Sequence, residues 1–223
     1  MNNPKIRVIV TGASGMVGEG VLHVCLQRDD VEAVLVVGRK PCGTTHPKLK
    51  EILHADFFNL AAIESQLNNY DACLFCLGVS SVGMKEDEYY KLTYRLTTHF
   101  AETLVKQNPA ITFCYISGAG TDSTEKGKSM WARVKGKTEN ELMKMNFKRA
   151  YNFRPGALEP IKGLKNILNF YNYLGWLIPV IRLLAPNSIC KLEDLGAAMV
   201  NSVTQGYEKQ VLEVTDIVAL AKK

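Results

Sequence analysis

The chain has 223 residues, 47% of them hydrophobic and 22% charged, with a formal charge of +5. That is long enough for one full-sized core and too apolar for a disordered chain, so a single domain is expected over 1–223. Most basic residues alternate with acids, as in Lys85-Glu-Asp-Glu88, and only 126–137 is locally basic, which argues against a nucleic-acid binder.

The first five residues carry no secretory signature and lead into an apolar run, Lys5–Val10, read as a strand. Val10-Thr-Gly-Ala-Ser-Gly-Met-Val-Gly18 follows, then helical spacing over 17–27, with Val17, Val21, Leu22 and Cys25 on one face. A glycine triplet between strand and helix is the setting that binds a pyrophosphate. Gly12 permits the tight turn, and Gly15 brings backbone N–H groups to the phosphates at the positive helix end. Gly18 lets the helix pack close on the strand. Ser14, Met16 and Val17 share this turn and are counted with the cofactor-binding residues. The competing reading is a plain glycine-containing turn.

The second strand, Val31–Val37, ends in Gly38-Arg39-Lys40 with no acid. A site for NAD usually places Asp or Glu there, on the ribose 2′-hydroxyl. Arg39 can instead pair with a 2′-phosphate, each such charge-assisted bond contributing roughly 1.5–3 kcal/mol. NADP(H) is therefore expected over NAD(H), unless Arg39 and Lys40 are solvated loop cations. A weaker third strand, 51–54, precedes Asp56 and Phe57 and a short helix near 60–67. Asp56 suits either an adenine amino group or a helix cap.

The fourth strand, Ala72–Leu77, contains Cys73 and Cys76. Strand residues three apart face opposite ways, so this pair cannot easily converge on zinc. The six cysteines read as reduced, buried thiols of a cytoplasmic protein. Leu77 and Gly78 close the strand where backbone approaches a cofactor. A long helix (86–107), a fifth strand (111–116), a helix (129–147) and a sixth strand (150–153) complete the rotation. Such alternation predicts an α/β, doubly wound parallel sheet of six to seven strands, with its crevice at the carboxyl ends of strands 1 and 4.

About 5–155 then forms the cofactor core, and about 156–223 a small helical extension on the substrate side. Segment 163–184, with Phe170, Tyr171, Tyr173 and Trp176, reads as core, as a lid, or as an interfacial or dimer helix. Its longest apolar stretch, 173–181, is too short to cross a membrane. A helix over 192–200, a strand over 210–214 and a closing helix over 215–221 end the chain. A monomer or homodimer is expected.

Taken in order, the glycine turn, Val37-Gly-Arg-Lys40, Asp56, Cys76-Leu-Gly78, Ile116-Ser-Gly-Ala-Gly120, Val134-Lys-Gly136 and Phe153-Arg-Pro-Gly156 resemble the short-chain dehydrogenase/reductase superfamily. The resemblance is to its atypical branch, most of all to small Tat-interacting-protein-like reductases and chains labelled as epimerases. It covers about 5–160 well and the C-terminal third loosely. It implies an NADPH cofactor and a Tyr-x-x-x-Lys site on the 129–147 helix, with a serine near the end of the fifth strand. Lys135 matches the lysine that binds the nicotinamide ribose and lowers the tyrosine pKa. The tyrosine position holds Trp131, whose indole N–H donates but does not titrate usefully.

Ser117 is the candidate serine, although the superfamily residue falls most often at the next position, here Gly118. Acid–base assistance typically contributes 10²- to 10⁴-fold, about 3–5 kcal/mol of barrier. Tyr89, Tyr90, Tyr94, Thr121 and Ser80 lie on segments bordering the crevice and are candidate substitutes. Alone, Trp131 and Lys135, four apart, read as a packed helix face. Beside the other motifs they read as an active site with one part changed. The implied function is an NADP(H)-dependent oxidoreductase acting on a small apolar carbonyl or alcohol. The alternative is a non-catalytic NADPH-binding sensor that engages a protein partner. Little chain remains beyond the sixth strand for a nucleotide-sugar lobe, so epimerase chemistry is not expected.

Overall fold

The computed structural model describes residues 5–166 and 188–223. The expectations for the first four residues and for most of the aromatic 163–184 segment lie outside these.

Seven parallel strands form the central sheet, from edge to edge β3 (Leu49–Leu53), β2 (Val31–Gly38), β1 (Ile6–Thr11), β4 (Ala72–Phe75), β5 (Thr112–Ile116), β6 (Arg149–Arg154) and β9 (Val211–Glu213). Chain order reverses between β1 and β4, and this switch point opens the crevice at their carboxyl ends.

Successive side chains of the apolar strands enter opposite layers, which is why these runs carry no polar face. Val8, Val10 and Leu74 pack with α1 (Met16–Gln27) and with the C-terminal helices Leu192–Thr204 and Val214–Ala221. Ile9, Cys73 and Phe75 pack in the other layer, with Phe100 and Leu142. A row of rings, Phe57–Phe100–Phe75–Phe113–Phe147, runs through that layer at centroid spacings of 5.8, 5.5, 5.6 and 5.2 Å. Cys73 and Cys76 do fall in opposite layers. Burial pushes the Cys25 and Cys114 thiols up to about 12, which leaves them unreactive near neutral pH.

Several elements differ from the sequence reading. The helix expected over 86–107 is α2 (Glu86–Tyr90), a π-helical turn at Lys91–Arg95 and α3 (Leu96–Gln107). The wider turn stacks Tyr90 on Tyr94 at 4.7 Å. The helix near 60–67 is only a 3₁₀ turn, Glu64–Leu67, because Asp56 and Asn59 side chains hold the preceding backbone in short turns. The helix over 129–147 is α4 (Met130–Lys144), closed where Met145 turns extended.

The sequence reading missed two strands, β7 (Ala157–Glu159) and β8 (Ile189–Lys191), which pair in parallel as a second sheet. Gly156 makes their approach possible, since a Cβ there would lie 2.0 Å from the Ser188 carbonyl oxygen. The chain then continues into α5 (Leu192–Thr204), β9 and α6 (Val214–Ala221). Among the described residues, no helix is long and apolar enough to cross a membrane.

Candidate functional site

The glycine turn sits where β1 meets α1, and contacts dictate its residues. Gly12 has φ +72, and a Cβ there would meet the Cys76 carbonyl and the Leu77 nitrogen at 2.7–2.8 Å. A Cβ on Gly18 would stand 2.1 Å from the Gly12 oxygen. Gly15 meets little, but its N–H bonds to the Gly12 oxygen at 3.0 Å and its carbonyl starts α1. Thr11 fixes the neighbouring strand end, its Oγ1 accepting the Leu77 N–H at 3.3 Å. Ser14 and Gly15 are exposed, and Met16 and Val17 are half-buried in the first helical turn. The turn thus presents the N-terminus of α1 to the crevice, the arrangement that receives a phosphate.

Two depressions meet beside it, sharing Arg39 and Leu77. The smaller is about 130 Å³ and is bordered by Asp56, Phe57, Gly78 and Leu92. It compares with the cavity of about 150 Å³ known to hold a single benzene ring. The larger is about 680 Å³ and is lined by Gly12, Ser14, Arg39, Lys40 and Lys165 among others. Arg39 and Lys40 are exposed. Asp56 lines the smaller depression, yet its Oδ1 accepts the Phe58 N–H at 2.9 Å. The helix-cap role expected for Asp56 is not found, since the 3₁₀ turn starts at Glu64 with Ile63 as its cap; the carboxylate holds the local turn at Phe58 while lining the depression. Phe57 is mostly core, stacked on Phe100.

Helix α4 lies along the end of β5 by one row of residues, 131, 135 and 139, each one turn from the next. The half-buried Trp131 rests over Gly120, where a Cβ would approach its ring at 3.6 Å. The Lys135 ammonium donates to the Ser117 carbonyl and lies 3.5 Å from that of Ile116. Burial lowers it from 10.5 to about 8, with Glu139 opposing. Gly136 allows this closeness, since a Cβ there would fall 1.8 Å from the Asp122 oxygen.

Glu139, fully buried, anchors the row. Its Oε1 accepts the Ser117 hydroxyl at 2.5 Å and Arg154 Nε at 3.0 Å; its Oε2 accepts Arg154 Nη2 at 2.5 Å. Arg154 reaches on to Ser123 and Glu213. Ser117 is therefore 4% exposed, and its hydroxyl is held in this network, tying β5 to α4. Sequence reading missed Glu139, although its spacing continues the 131–135 face, and gave Arg154 no partner.

The candidate replacement acids divide. Tyr89 is 2% exposed, and burial raises its hydroxyl above the usual range. Thr121 Oγ1 already donates to the Gly118 carbonyl at 2.7 Å. Tyr90 and Tyr94 stack on each other, with Lys137 over the Tyr94 ring. Ser80 is exposed on the loop after β4. Much of the basic 126–137 stretch is committed locally, Arg133 to Glu86 and to the Gly127 and Lys128 carbonyls, and Lys137 to Glu125.

Fold and crevice together are those of a Rossmann-type dinucleotide-binding domain. A family model confirms the assignment over residues 8–129, just over half of the chain: the protein belongs to the NAD dependent epimerase/dehydratase family. Curated relatives include "Protein FMP52-1, mitochondrial" of Scheffersomyces stipitis, 26% identical over 166 residues, covering 72% of each chain. "Protein FMP52, mitochondrial" of Candida albicans is 22% identical over 152 residues; the match spans 67% of this chain and 66% of that one. Among solved structures, the Bordetella bronchiseptica enzyme WbmF in complex with NAD+ has a TM-score of 0.68 at 15% identity, over 99% of this chain and 77% of that one. L-Sorbose reductase from Gluconobacter frateurii, complexed with NADPH and L-sorbose, has a TM-score of 0.65 at 14% identity, over 92% of each.

The relatives' names correct the cytoplasmic expectation, since three curated relatives are called mitochondrial. That expectation rested on reduced cysteines, and a thiol inside a core reports burial, not compartment.

Proposed function

We propose that the protein binds NADP(H) along the crevice and acts as an oxidoreductase on a small apolar carbonyl or alcohol. In this reading the pyrophosphate lies on the Gly12–Gly18 turn, the adenine in the recess beside Asp56 and Phe57, and the 2′-phosphate at Arg39. The nicotinamide lies between Trp131 and Lys135. The observation that carries the reading is Lys135, an ammonium on the cleft end of β5 at the family's lysine position, joined by one sheet end to an N-terminal helix turn that only glycine can form. Bound there, the cofactor supplies or accepts a hydride. The chain's own residues hold its ribose, wall the pocket and exclude water.

A second reading, a non-catalytic NADPH-binding sensor that engages a partner, is favoured by two observations. Trp131 offers no titrating proton, and the Ser117 hydroxyl is occupied by Glu139. Rapid-mixing measurement of NADPH oxidation across a panel of dicarbonyls, enones and quinones separates the two. Hydride transfer by the native protein, raised at least tenfold in Trp131→Tyr, supports the reductase. Tight NADPH binding with no turnover in either protein supports the sensor. The names of the fungal relatives support a mitochondrial location, to be tested by fractionation.

A further inference from the structure

The larger depression is lined by the end of β2 and its loop and by Lys165 and Asn166, more than a hundred residues further along the chain. That second segment is held in place. The buried Glu19, in the first turn of α1, accepts the backbone N–H of Lys165 at 2.8 Å through one oxygen and that of Asn166 at 2.7 Å through the other. The Lys165 ammonium donates to the Gly43 carbonyl, 3.0 Å away, and both residues line the depression. Both carboxylate oxygens of Glu19 are thus spent on backbone, and the Lys165 charge is left to the cleft beside Arg39 and Lys40.

In this sheet plan the ribose 2′-position lies at the end of β2, and a 2′-phosphate there brings close to two negative charges and three acceptor oxygens. One guanidinium satisfies only part of that demand. We infer that Lys165 is a second cationic ligand for the adenosine 2′-phosphate, acting with Arg39 across the depression, and that Glu19 is its positioning residue. The inference rests on the NADP(H) reading and adds a consequence: cofactor choice is shared between the β2 loop and the C-terminal part of the chain. The ammonium exchanges the Gly43 carbonyl for phosphate oxygens, both within reach of one flexible side chain.

The test is titration of the full chain with NADPH and with NADH at low and moderate salt, comparing the native protein with Lys165→Met, Lys165→Arg, Glu19→Gln and Arg39→Ala. Lys165 is exposed, so its replacement leaves the core untouched. Lys165→Met is expected to weaken NADPH about tenfold and NADH less than twofold, with a shallower salt dependence for NADPH. Lys165→Arg should retain affinity within about threefold, and Glu19→Gln should show a smaller loss confined to NADPH. Equal loss for both nucleotides, or no loss, in Lys165→Met overturns the assignment while Arg39→Ala still weakens NADPH selectively. Failure of the native protein to bind NADPH overturns the cofactor reading itself, and is told apart because no variant is then needed.

Discussion

Replacing Arg154 by Met leaves the Glu139 carboxylate in a fully buried position with the Ser117 hydroxyl as its one remaining side-chain partner. Two charge-assisted bonds are lost, at 3.0 and 2.5 Å, from a pair whose side chains are 11% and 0% exposed. Removing one partner of such a pair costs about 3–5 kcal/mol, because the surviving charge stays desolvated. The pair from Arg154 to Glu213 is different: the Glu213 side chain is 50% exposed, so Glu213→Gln should cost below about 1 kcal/mol.

Urea unfolding followed by circular dichroism reads both. With m of about 3 kcal/mol/M, Arg154→Met should lower the midpoint by roughly 1–1.7 M, and Glu213→Gln by under about 0.3 M. In the double variant Glu139→Gln/Arg154→Met the losses should be less than additive, with a coupling energy of about 2–3 kcal/mol. A midpoint change under about 0.2 M in Arg154→Met, with coupling below about 0.5 kcal/mol, would refute the claim that this pair fixes α4 to the ends of β5 and β6.

Ser117→Ala removes one buried hydrogen bond to a charged acceptor and should cost about 1.5–3 kcal/mol of stability, while NADPH affinity stays within about twofold. A large loss of turnover without loss of stability would return Ser117 to the reacting centre. Gly18→Ala drives a methyl group against the Gly12 oxygen, so α1 must lift from β1. Nucleotide binding should fall by more than about tenfold, at a stability cost of about 1–3 kcal/mol. Lys135 carries its charge below about pH 8. Any step that needs the ammonium on the cofactor ribose is lost as pH rises through that value, and Lys135→Arg should carry the profile to higher pH. The same lowered value means that between about 8 and 10.5 the unfolded chain holds a proton the folded chain has released. This group's contribution to stability therefore rises with pH across that window.

The parallel sheet was legible because its strands are apolar on both faces and punctuated by helices, a pattern with few alternatives. The glycine turn was legible for a similar reason: Gly12 and Gly18 are places where backbone meets backbone, and no other residue fits. The site beyond the nucleotide was only half legible. Spacing put Trp131 and Lys135 on one helix face, and only the resemblance read that face as a site. Ser117 could not be placed, since a strand-end serine reads alike whether it faces substrate or Glu139. The Glu139–Arg154 pair and the Glu19 clamp on Lys165 join residues 15 and about 146 positions apart, and long-range polar pairing leaves no local periodicity. Strands β7 and β8 escaped for the same reason, being three residues each and, among the described residues, paired with one another alone.

The most direct measurement of the central claim uses Trp131 itself. Tryptophan is excited while NADPH, then NADH, is titrated, and protein emission and reduced-nicotinamide emission are recorded together. Saturable energy transfer at micromolar NADPH, weaker binding of NADH, and loss of most of the transfer in Trp131→Phe are expected. Binding of neither nucleotide at millimolar concentration would contradict the claim.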